Sequence, residues 1–211
     1  MVYKLNIEHK IEKKKFFKKL HIDENTETYN NADDAFMELY EIIKNNMKLT
    51  VLYSIVPAFD LGFKKLYECE QYVLCFISSK DDINSIVNDM MSSGNYLKGY
   101  LLNEMATDVI FNASNEMNNI IREKSKDLCY KLSKRIAPGD GEIDMKYQKT
   151  ILDFLKKELF IDAYLTDDYM IVPHKSLLYL YGLEKATLNT EPMEDNCNMC
   201  SNLNCQYRDF K

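Results

Sequence analysis

The longest helical pattern in the sequence, LKGYLLNEMATDVIFNASNEMNNIIREKSKDLCYKL at residues 97–132, leads into the stretch RIAPGDGE at residues 135–142. Apolar residues in the first stretch recur at intervals of three, four and seven, which is the spacing of one face of an α-helix. At 3.6 residues per turn, this spacing predicts one amphipathic helix of about ten turns. We expect the fold to be organised around this helix and the loop that follows it.

The stretch at residues 135–142, called the 135–142 loop below, cannot continue the helix. It holds Pro138, Gly139 and Gly141, three of the six glycine and four proline residues of the chain. Proline has no N–H to donate, and glycine tolerates positive φ and leaves the backbone uncovered. Such a loop can place main-chain amides and carbonyls against a small molecule, with the Arg135 guanidinium beside them. The alternative is an ordinary turn between two helices.

Shorter patterns on either side of the long helix predict the remaining elements. Apolar runs, continuous or alternating, predict strands at 2–7, 49–56, 71–78, 165–172 and 176–183. Helical spacing predicts helices at 10–19, from Asp33 or Asp34 to about Asn46, from Ser79 or Asp81 to near Gly94, and at 147–160. This order departs from regular βαβ alternation, so the sequence predicts an α+β fold with a mostly antiparallel sheet flanked by helices.

Composition excludes several classes of protein. The 211 residues, 46% of them hydrophobic, are enough to bury a core. The net charge of −6 gives no sign of a nucleic-acid-binding protein, and no apolar run approaches the roughly 20 residues that span a bilayer. The first residues lack the apolar segment of a signal peptide. We therefore expect a cytoplasmic protein without nucleic-acid or membrane partners, whose six cysteines are reduced.

Residues 191–211, called the cysteine tail below, are polar and hold Cys197, Cys200 and Cys205. Three thiolates within nine residues can bind one Zn²⁺ or one iron–sulfur cluster. Either site needs a fourth ligand, for which the candidates are Cys69, Cys75, Cys129, His174 or an exogenous group. A [4Fe–4S] cluster would carry electrons, whereas zinc would be structural. The alternative is a set of free thiols.

Several motifs occur in an order that resembles a known family. The helix and the 135–142 loop are followed by Gln148 at the head of the next helix. The segment LTDDYMIVPHKS then occupies residues 165–176, with Tyr181 a few residues later, and the chain ends in Cys-x2-Cys-x4-Cys-x2-Arg. This series is similar to the reactivation domain of cobalamin-dependent methionine synthase and its free-standing relatives. The resemblance covers residues 30–211, and it assigns 1–190 to an activation-like domain with the cysteine tail packed on or near it.

The resemblance implies a set of residues that bind S-adenosylmethionine (AdoMet). In that family the arginine and the backbone of the loop hold AdoMet, and the tyrosine near the last strand lines the site. These positions correspond here to Arg135, Ala137, Gly139, Asp140, Gly141 and Tyr181. Acidic residues of the long helix also face the site in the family, and their counterparts here are Asn112 and Glu116, with Asp108 one turn earlier.

Two departures from the family pattern bear on ligand binding. Asp140 stands where the family has a tyrosine that reaches the ligand and the corrin ring. Asn112 stands where the family has a carboxylate. Loss of the tyrosine would alter ligand affinity or the reaction, although Asp140 could instead pair with the sulfonium or ammonium group of the ligand. At Asn112, one expected carboxylate is missing.

The resemblance also implies a function. A domain of this family caps a corrinoid held by another module or subunit, here expected to be a separate methionine synthase on which the chain acts in trans. One-electron reduction of Co(II), by a flavodoxin or ferredoxin, gives Co(I), which takes the methyl group of AdoMet. The alternative is a non-catalytic subunit that contains an iron–sulfur cluster or zinc and delivers electrons to a corrinoid methyltransferase.

Overall fold

The computed structural model describes residues 2–61, 69–79, 82–140, 143–158 and 161–185. The main sheet is antiparallel throughout and has the strand order β1-β2-β3-β7-β4. Its strands are β1 (Val2–Leu5), β2 (Leu49–Pro57), β3 (Gln71–Ser79), β4 (Tyr130–Leu132) and β7 (Ser176–Lys185). A separate two-stranded hairpin is formed by β5 (Tyr164–Leu165) and β6 (Ile171–Val172).

Five helices cover the two faces of the main sheet in the described part of the chain. They are α1 (Lys13–Lys19), α2 (Glu27–Asn46), α3 (Asp82–Ser92), α4 (Tyr96–Asp127) and α5 (Tyr147–Glu158). One core lies between the sheet and helices α1 to α4, and a smaller core lies between the opposite face and α5. The α+β fold with an antiparallel sheet, flanking helices and one long helix is therefore confirmed.

Strand β3 is the centre of both cores. After Gln71, every one of its residues is buried, as expected for a strand covered on both faces. Side chains alternate between faces, so Val73, Cys75 and Ile77 belong to the α4 core. Leu74 and Phe76 belong to the α5 core. The nearly continuous apolar run of this strand is thus explained by its central position.

The long helix α4 is fastened to the sheet by polar contacts at two levels. Near its start, the Lys175 ammonium donates to Asn103 Oδ1 at 2.9 Å and to Thr107 Oγ1 at 2.8 Å. Burial lowers the pKa of Lys175 below its ordinary value, but the three-proton ammonium group still matches these acceptors. Further along, Ser114 and Asn118 meet Tyr179 of β7.

Strand β1 ends at Leu5 and not at residue 7, and helix α1 begins at Lys13 and not at residue 10. Three other differences from the sequence-based prediction are larger. Helix α2 begins at Glu27, because Thr26 caps it by accepting from the Tyr29 N–H at 3.0 Å, and not at Asp33 or Asp34. Helix α4 ends at Asp127, and the residues up to Leu132 form β4. The stretch predicted as one strand at 165–172 is instead the hairpin of β5 and β6, joined by a turn.

A helix that spans a membrane needs both length and sustained apolarity. Among the residues that the structure describes, no helix combines the two.

Truncation of Leu74 tests the smaller core. Leu74 is fully buried, and Leu74→Ala is expected to lower the free energy of unfolding by about 2–5 kcal/mol, through lost burial and the cavity that remains. Chemical denaturation measures the change. Met37→Ala is the matched control, since Met37 is 60% exposed and should change stability by less than about 0.5 kcal/mol. Equal stabilities of the two variants would contradict the packing described above.

Candidate functional site

The first half of the 135–142 loop continues alongside β7 after β4 ends. The Ser133 N–H donates to the Gly182 carbonyl at 2.9 Å, and the Gly182 N–H donates to Ser133 Oγ at 2.8 Å. Ile136 and Leu180 then exchange two backbone hydrogen bonds of 2.9 Å each. The position of Arg135 relative to the sheet is therefore fixed by backbone pairing.

This pairing decides the face on which each side chain lies. Ile136 packs in the α5 core together with Leu180. Because neighbouring residues of an extended chain alternate between faces, Arg135 and Ala137 lie on the opposite side, and Ala137 packs against the α4 core. Tyr181 of β7 belongs to that same core. The structure thus brings together three of the predicted site residues, Arg135, Ala137 and Tyr181.

Arg135 lies over the ring of Tyr179. Its Cζ atom is 5.5 Å from the ring centroid, within the range of a cation–π interaction. Arg135 is exposed to solvent, whereas only 1% of Tyr179 is exposed. The guanidinium group therefore marks the boundary between a buried aromatic layer and solvent.

Tyr179 is the centre of a buried hydrogen-bond network. Its hydroxyl lies 2.9 Å from Ser114 Oγ and donates to Asn118 Oδ1 at 2.8 Å. Its ring meets that of Tyr181 edge to face, with centroids 5.9 Å apart. Buried polar groups of this kind are stable because each one has a partner, and here the partners connect α4 to the strand beneath Arg135.

Two buried acids below Arg135 are held in their neutral forms. Burial raises the pKa of the Cys75 thiol well above its ordinary value, although the nearby Arg135 charge acts to lower it. Burial likewise raises the pKa of Tyr179, and the Cys75 and Tyr181 groups raise it further. Desolvation outweighs the attraction of the arginine in both cases. At neutral pH, both of these groups are therefore neutral.

The turn of the 135–142 loop uses its own amides. Gly139 has φ of 93° and donates its N–H to the Ile143 carbonyl at 2.8 Å. The Asp140 N–H donates to the Ala137 carbonyl at 3.0 Å. A Cβ at Gly139 would lie 2.5 Å from Met145 Sδ. Glycine is favoured here by the positive φ, and the Met145 side chain would have to move to admit a Cβ. Asp140 is exposed at the tip. Gly141 lies outside the described residues.

Gln148 supports the loop from the start of α5. It is 8% exposed, and its side-chain amide donates to Met145 Sδ at 3.3 Å. Its Oε1 atom is buried and has no hydrogen-bond partner in the described structure. Gln148 and Met145 therefore form a packed support under Gly139.

Asn112 and Glu116 lie on a different side of α4 from Tyr179. Asn112 donates to the Lys10 carbonyl at 2.8 Å and to Asp108 Oδ2 at 3.0 Å. Glu116 pairs with the Lys10 ammonium at 3.6 Å. At 100° per residue, Asn112 is about 200° around the helix from Ser114, which contacts Tyr179. The structure does not bring Asn112 and Glu116 together with Arg135.

The pairing of Ile136 with Leu180 places Tyr181 across from Arg135. Only 1% of Tyr181 is exposed, however. Its ring belongs to the layer below the guanidinium and not to the surface. His174 is exposed on the connection before β7. Cys197, Cys200 and Cys205 lie outside the described residues, and among the described ones no group of three or more His, Cys, Asp or Glu side chains is arranged to hold a metal ion.

Sequence reasoning missed Tyr179 and Cys75, which lie near Arg135, and the two α4 residues that contact the Tyr179 hydroxyl. The signal was present for two of them, because Ser114 and Asn118 are polar residues one turn apart within the apolar spacing of α4. The positions of Tyr179 and Cys75 depend on strand register, which periodicity alone does not provide.

Alkaline titration tests the buried acids. Their ordinary pKa values are 9.0 for Cys75 and 10.0 for Tyr179, and folding raises both. The resulting stability is complete below those values and is lost as the pH rises above them, because the unfolded chain ionises first. We expect the free energy of unfolding to fall above about pH 9. In Cys75→Ala, the free energy of unfolding should fall less steeply from about pH 9 upward, and in Tyr179→Phe it should do so only above about pH 10. Slopes equal to those of the unaltered chain would contradict the burial of these two groups.

The comparisons with known proteins concern the fold. No protein-family model matches the sequence, and a search of curated proteins finds no match. Among solved structures, the chain is similar to the crystal structure of the MetH reactivation domain bound to AdoHcy, with a TM-score of 0.60 and 11% identity. The alignment covers 94% of this chain and 83% of that chain. The chain therefore has the fold of the MetH reactivation domain, which confirms the fold that the motifs implied.

Proposed function

We propose that this chain binds AdoMet beside Arg135 and serves in the reactivation of a corrinoid protein. The observation that carries the proposal is the register of residues 135–137 on β7, which sets Arg135 above the Tyr179 ring. The structure of the MetH reactivation domain, which has the same fold, is bound to AdoHcy. AdoHcy is AdoMet without its transferable methyl group, so a ligand of the same chemical class is the natural candidate here.

Arg135 supplies the chemistry needed for the amino-acid end of AdoMet. A guanidinium group presents two parallel N–H donors that match a carboxylate. The Cys75 and Tyr179 groups beneath it are neutral, and Arg135 itself is exposed. A carboxylate that approaches from the exposed side would therefore meet a positioned cation.

The proposed reaction transfers the AdoMet methyl group to a corrinoid held by a partner protein, on which the chain acts in trans. A flavodoxin or ferredoxin supplies one electron that converts Co(II) to Co(I). The cobalt electron pair forms the bond to the methyl carbon while the carbon–sulfur bond breaks, and AdoHcy leaves with that bonding pair. The part assigned to this chain is to bind and orient AdoMet.

Asn112 and Glu116 have a supporting role in this proposal. They hold Lys10 and thereby the N-terminal segment against α4. They would contact AdoMet only if that segment moved away from the helix. We assign the direct contacts to Arg135, to the backbone near Ala137 and to the exposed tip at Asp140, with Gly139 and Tyr181 shaping the loop and its base.

One observation favours the alternative function of a non-catalytic electron-delivery subunit. The amides of Gly139 and Asp140 already donate to carbonyls inside the loop, so the loop is stable without a ligand. In that case the cysteine tail would hold the iron–sulfur cluster or zinc and the 135–142 loop would be structural. Measurement of AdoMet binding separates the two functions, because only the first requires it.

Replacement of Arg135 tests the AdoMet site. Arg135→Ala should weaken AdoMet binding by about 1.5–3 kcal/mol, the contribution of a hydrogen bond to a charged group. Isothermal calorimetry measures the affinity, and circular dichroism confirms that the fold is retained. Lys134→Ala is the matched control, since Lys134 is an exposed cation one residue away and, by alternation, on the other face. Equal affinities of Arg135→Ala and the unaltered chain would overturn the assignment.

A further inference from the structure

The pairing of the chain with β7 changes register by one residue between β4 and the 135–142 loop. Leu132 pairs with Leu183 at the end of β4, and the next bridge joins Ile136 to Leu180. Between these two pairs lie three residues on the β4 side but only two on β7. An extra residue on one strand of an antiparallel pair is a β-bulge, so the chain forms a bulge just before the arginine of the candidate site.

The burial of the paired side chains supports the bulge independently. Leu132 and its partner Leu183 pack in the core against α4. Ile136 and its partner Leu180 pack in the core against α5. Leu132 and Ile136 are four residues apart, so on a regular strand they would lie on the same face. The extra residue has therefore reversed the alternation of side chains between the two positions.

The hydroxyl group of Ser133 stabilises this bulge. Opposite residues of a regular antiparallel ladder exchange two backbone hydrogen bonds. Ser133 donates its N–H to the Gly182 carbonyl at 2.9 Å, as in a regular ladder. The Gly182 N–H donates to Ser133 Oγ at 2.8 Å, where a regular ladder would use the Ser133 carbonyl. The same hydroxyl group donates to the Lys134 carbonyl at 2.8 Å, so the serine side chain connects both residues of the bulge.

The bulge decides the face on which Arg135 lies. With the bulge, Arg135 lies across from Tyr181, on the face that carries the Tyr179 ring. In a regular ladder continued from the Leu132 pair, Arg135 would lie across from Leu180, on the face of the α5 core. The contact between the guanidinium group and the Tyr179 ring therefore depends on the extra residue that the bulge accommodates.

Loss of the Ser133 hydroxyl group would leave the Gly182 N–H without its acceptor. Gly182 is buried, and a buried donor without a partner is costly. The N–H would regain an acceptor from the carbonyl of residue 133 in a regular ladder, which turns Arg135 toward the α5 core. Alternatively, it would bond to water after the paired segment opens. Both changes remove Arg135 from the Tyr179 ring.

We propose that Ser133 is a positioning residue for the candidate AdoMet site. Its hydroxyl group stabilises the bulge and thereby selects the register that aims Arg135 at the ligand. The role in AdoMet binding rests on the proposed function, whereas the control of the Arg135 position does not, so the two can fail independently.

The first experiment follows the position of Arg135 by NMR. The chain contains three arginines, so the Nε–H signal of Arg135 is assigned with Arg135→Ala, and its chemical shift reports the nearby Tyr179 ring. Ser133→Ala should move this signal toward that of an arginine away from a ring. It should also speed hydrogen exchange of the Gly182 amide by about 2- to 10-fold, the net effect of one hydrogen bond. Ser133→Thr keeps the hydroxyl group and should restore both readings, and Lys134→Ala is the control that should change neither.

A deletion separates positioning from a general loss of stability. Removal of Lys134 from the Ser133→Ala variant takes out the extra residue, so a regular ladder can keep the pairing on both sides of it. The carbonyl of residue 133 can then accept from Gly182 while Arg135 stays across from Tyr181. We expect this double variant to recover the Arg135 signal, although it lacks both the hydroxyl group and one residue. If the serine only stabilised the fold, the deletion would add a further loss.

AdoMet calorimetry on the same variants tests the effect on the ligand. Ser133→Ala should bind AdoMet about 2- to 10-fold more weakly, and Ser133→Thr and the double variant should recover the affinity. The proposal is overturned if Ser133→Ala leaves the Arg135 signal and the Gly182 exchange rate unchanged, or if the double variant recovers neither. Full AdoMet affinity in Ser133→Ala, where Arg135→Ala weakens binding, would also overturn it. If the unaltered chain does not bind AdoMet but the Arg135 signal responds as expected, the proposed function fails and the control of Arg135 by Ser133 stands.

Discussion

The hydroxyl group of Tyr179, buried between Ser114 and Asn118, is the contact on which the proposed site depends. It joins the long helix to the strand that carries both tyrosines, and the ring of the same residue lies under Arg135. A buried hydroxyl without partners would cost about 1–3 kcal/mol. The position of α4, the register of β7 and the orientation of the arginine are therefore coupled through one side chain.

The alternation of β7 then assigns a role to each face of the sheet. Leu178 and Leu180 point toward α5, whereas Tyr179 and Tyr181 point toward α4. The Ile136 bridge extends this alternation into the 135–142 loop. A shift of one residue in this pairing would turn Arg135 toward the apolar α5 core, where burial of its charge would be costly. The loop register is thus enforced by the charge of the residue that it presents.

Sequence patterns predicted the elements well where the period was long and uniform, as in β3 and most of α4. The end of α4 was missed because Leu128 and Leu132 continue the helical spacing, although the backbone turns at Cys129 and pairs with β7. The placement of Asn112 and Glu116 was not predictable either. Periodicity shows which residues share a helix face, but it cannot show that Lys10 covers that face.

The exposed part of the candidate site is small, which limits the binding free energy that Arg135 alone can supply to a ligand. The loop amides of Gly139 and Asp140 are already used, and Tyr181 is buried. A single charged contact from Arg135 contributes about 1.5–3 kcal/mol, whereas micromolar affinity requires about 8 kcal/mol. On the proposed function, Arg135 therefore supplies part of the binding free energy, and the contacts assigned to the backbone near Ala137 and to Asp140 supply more.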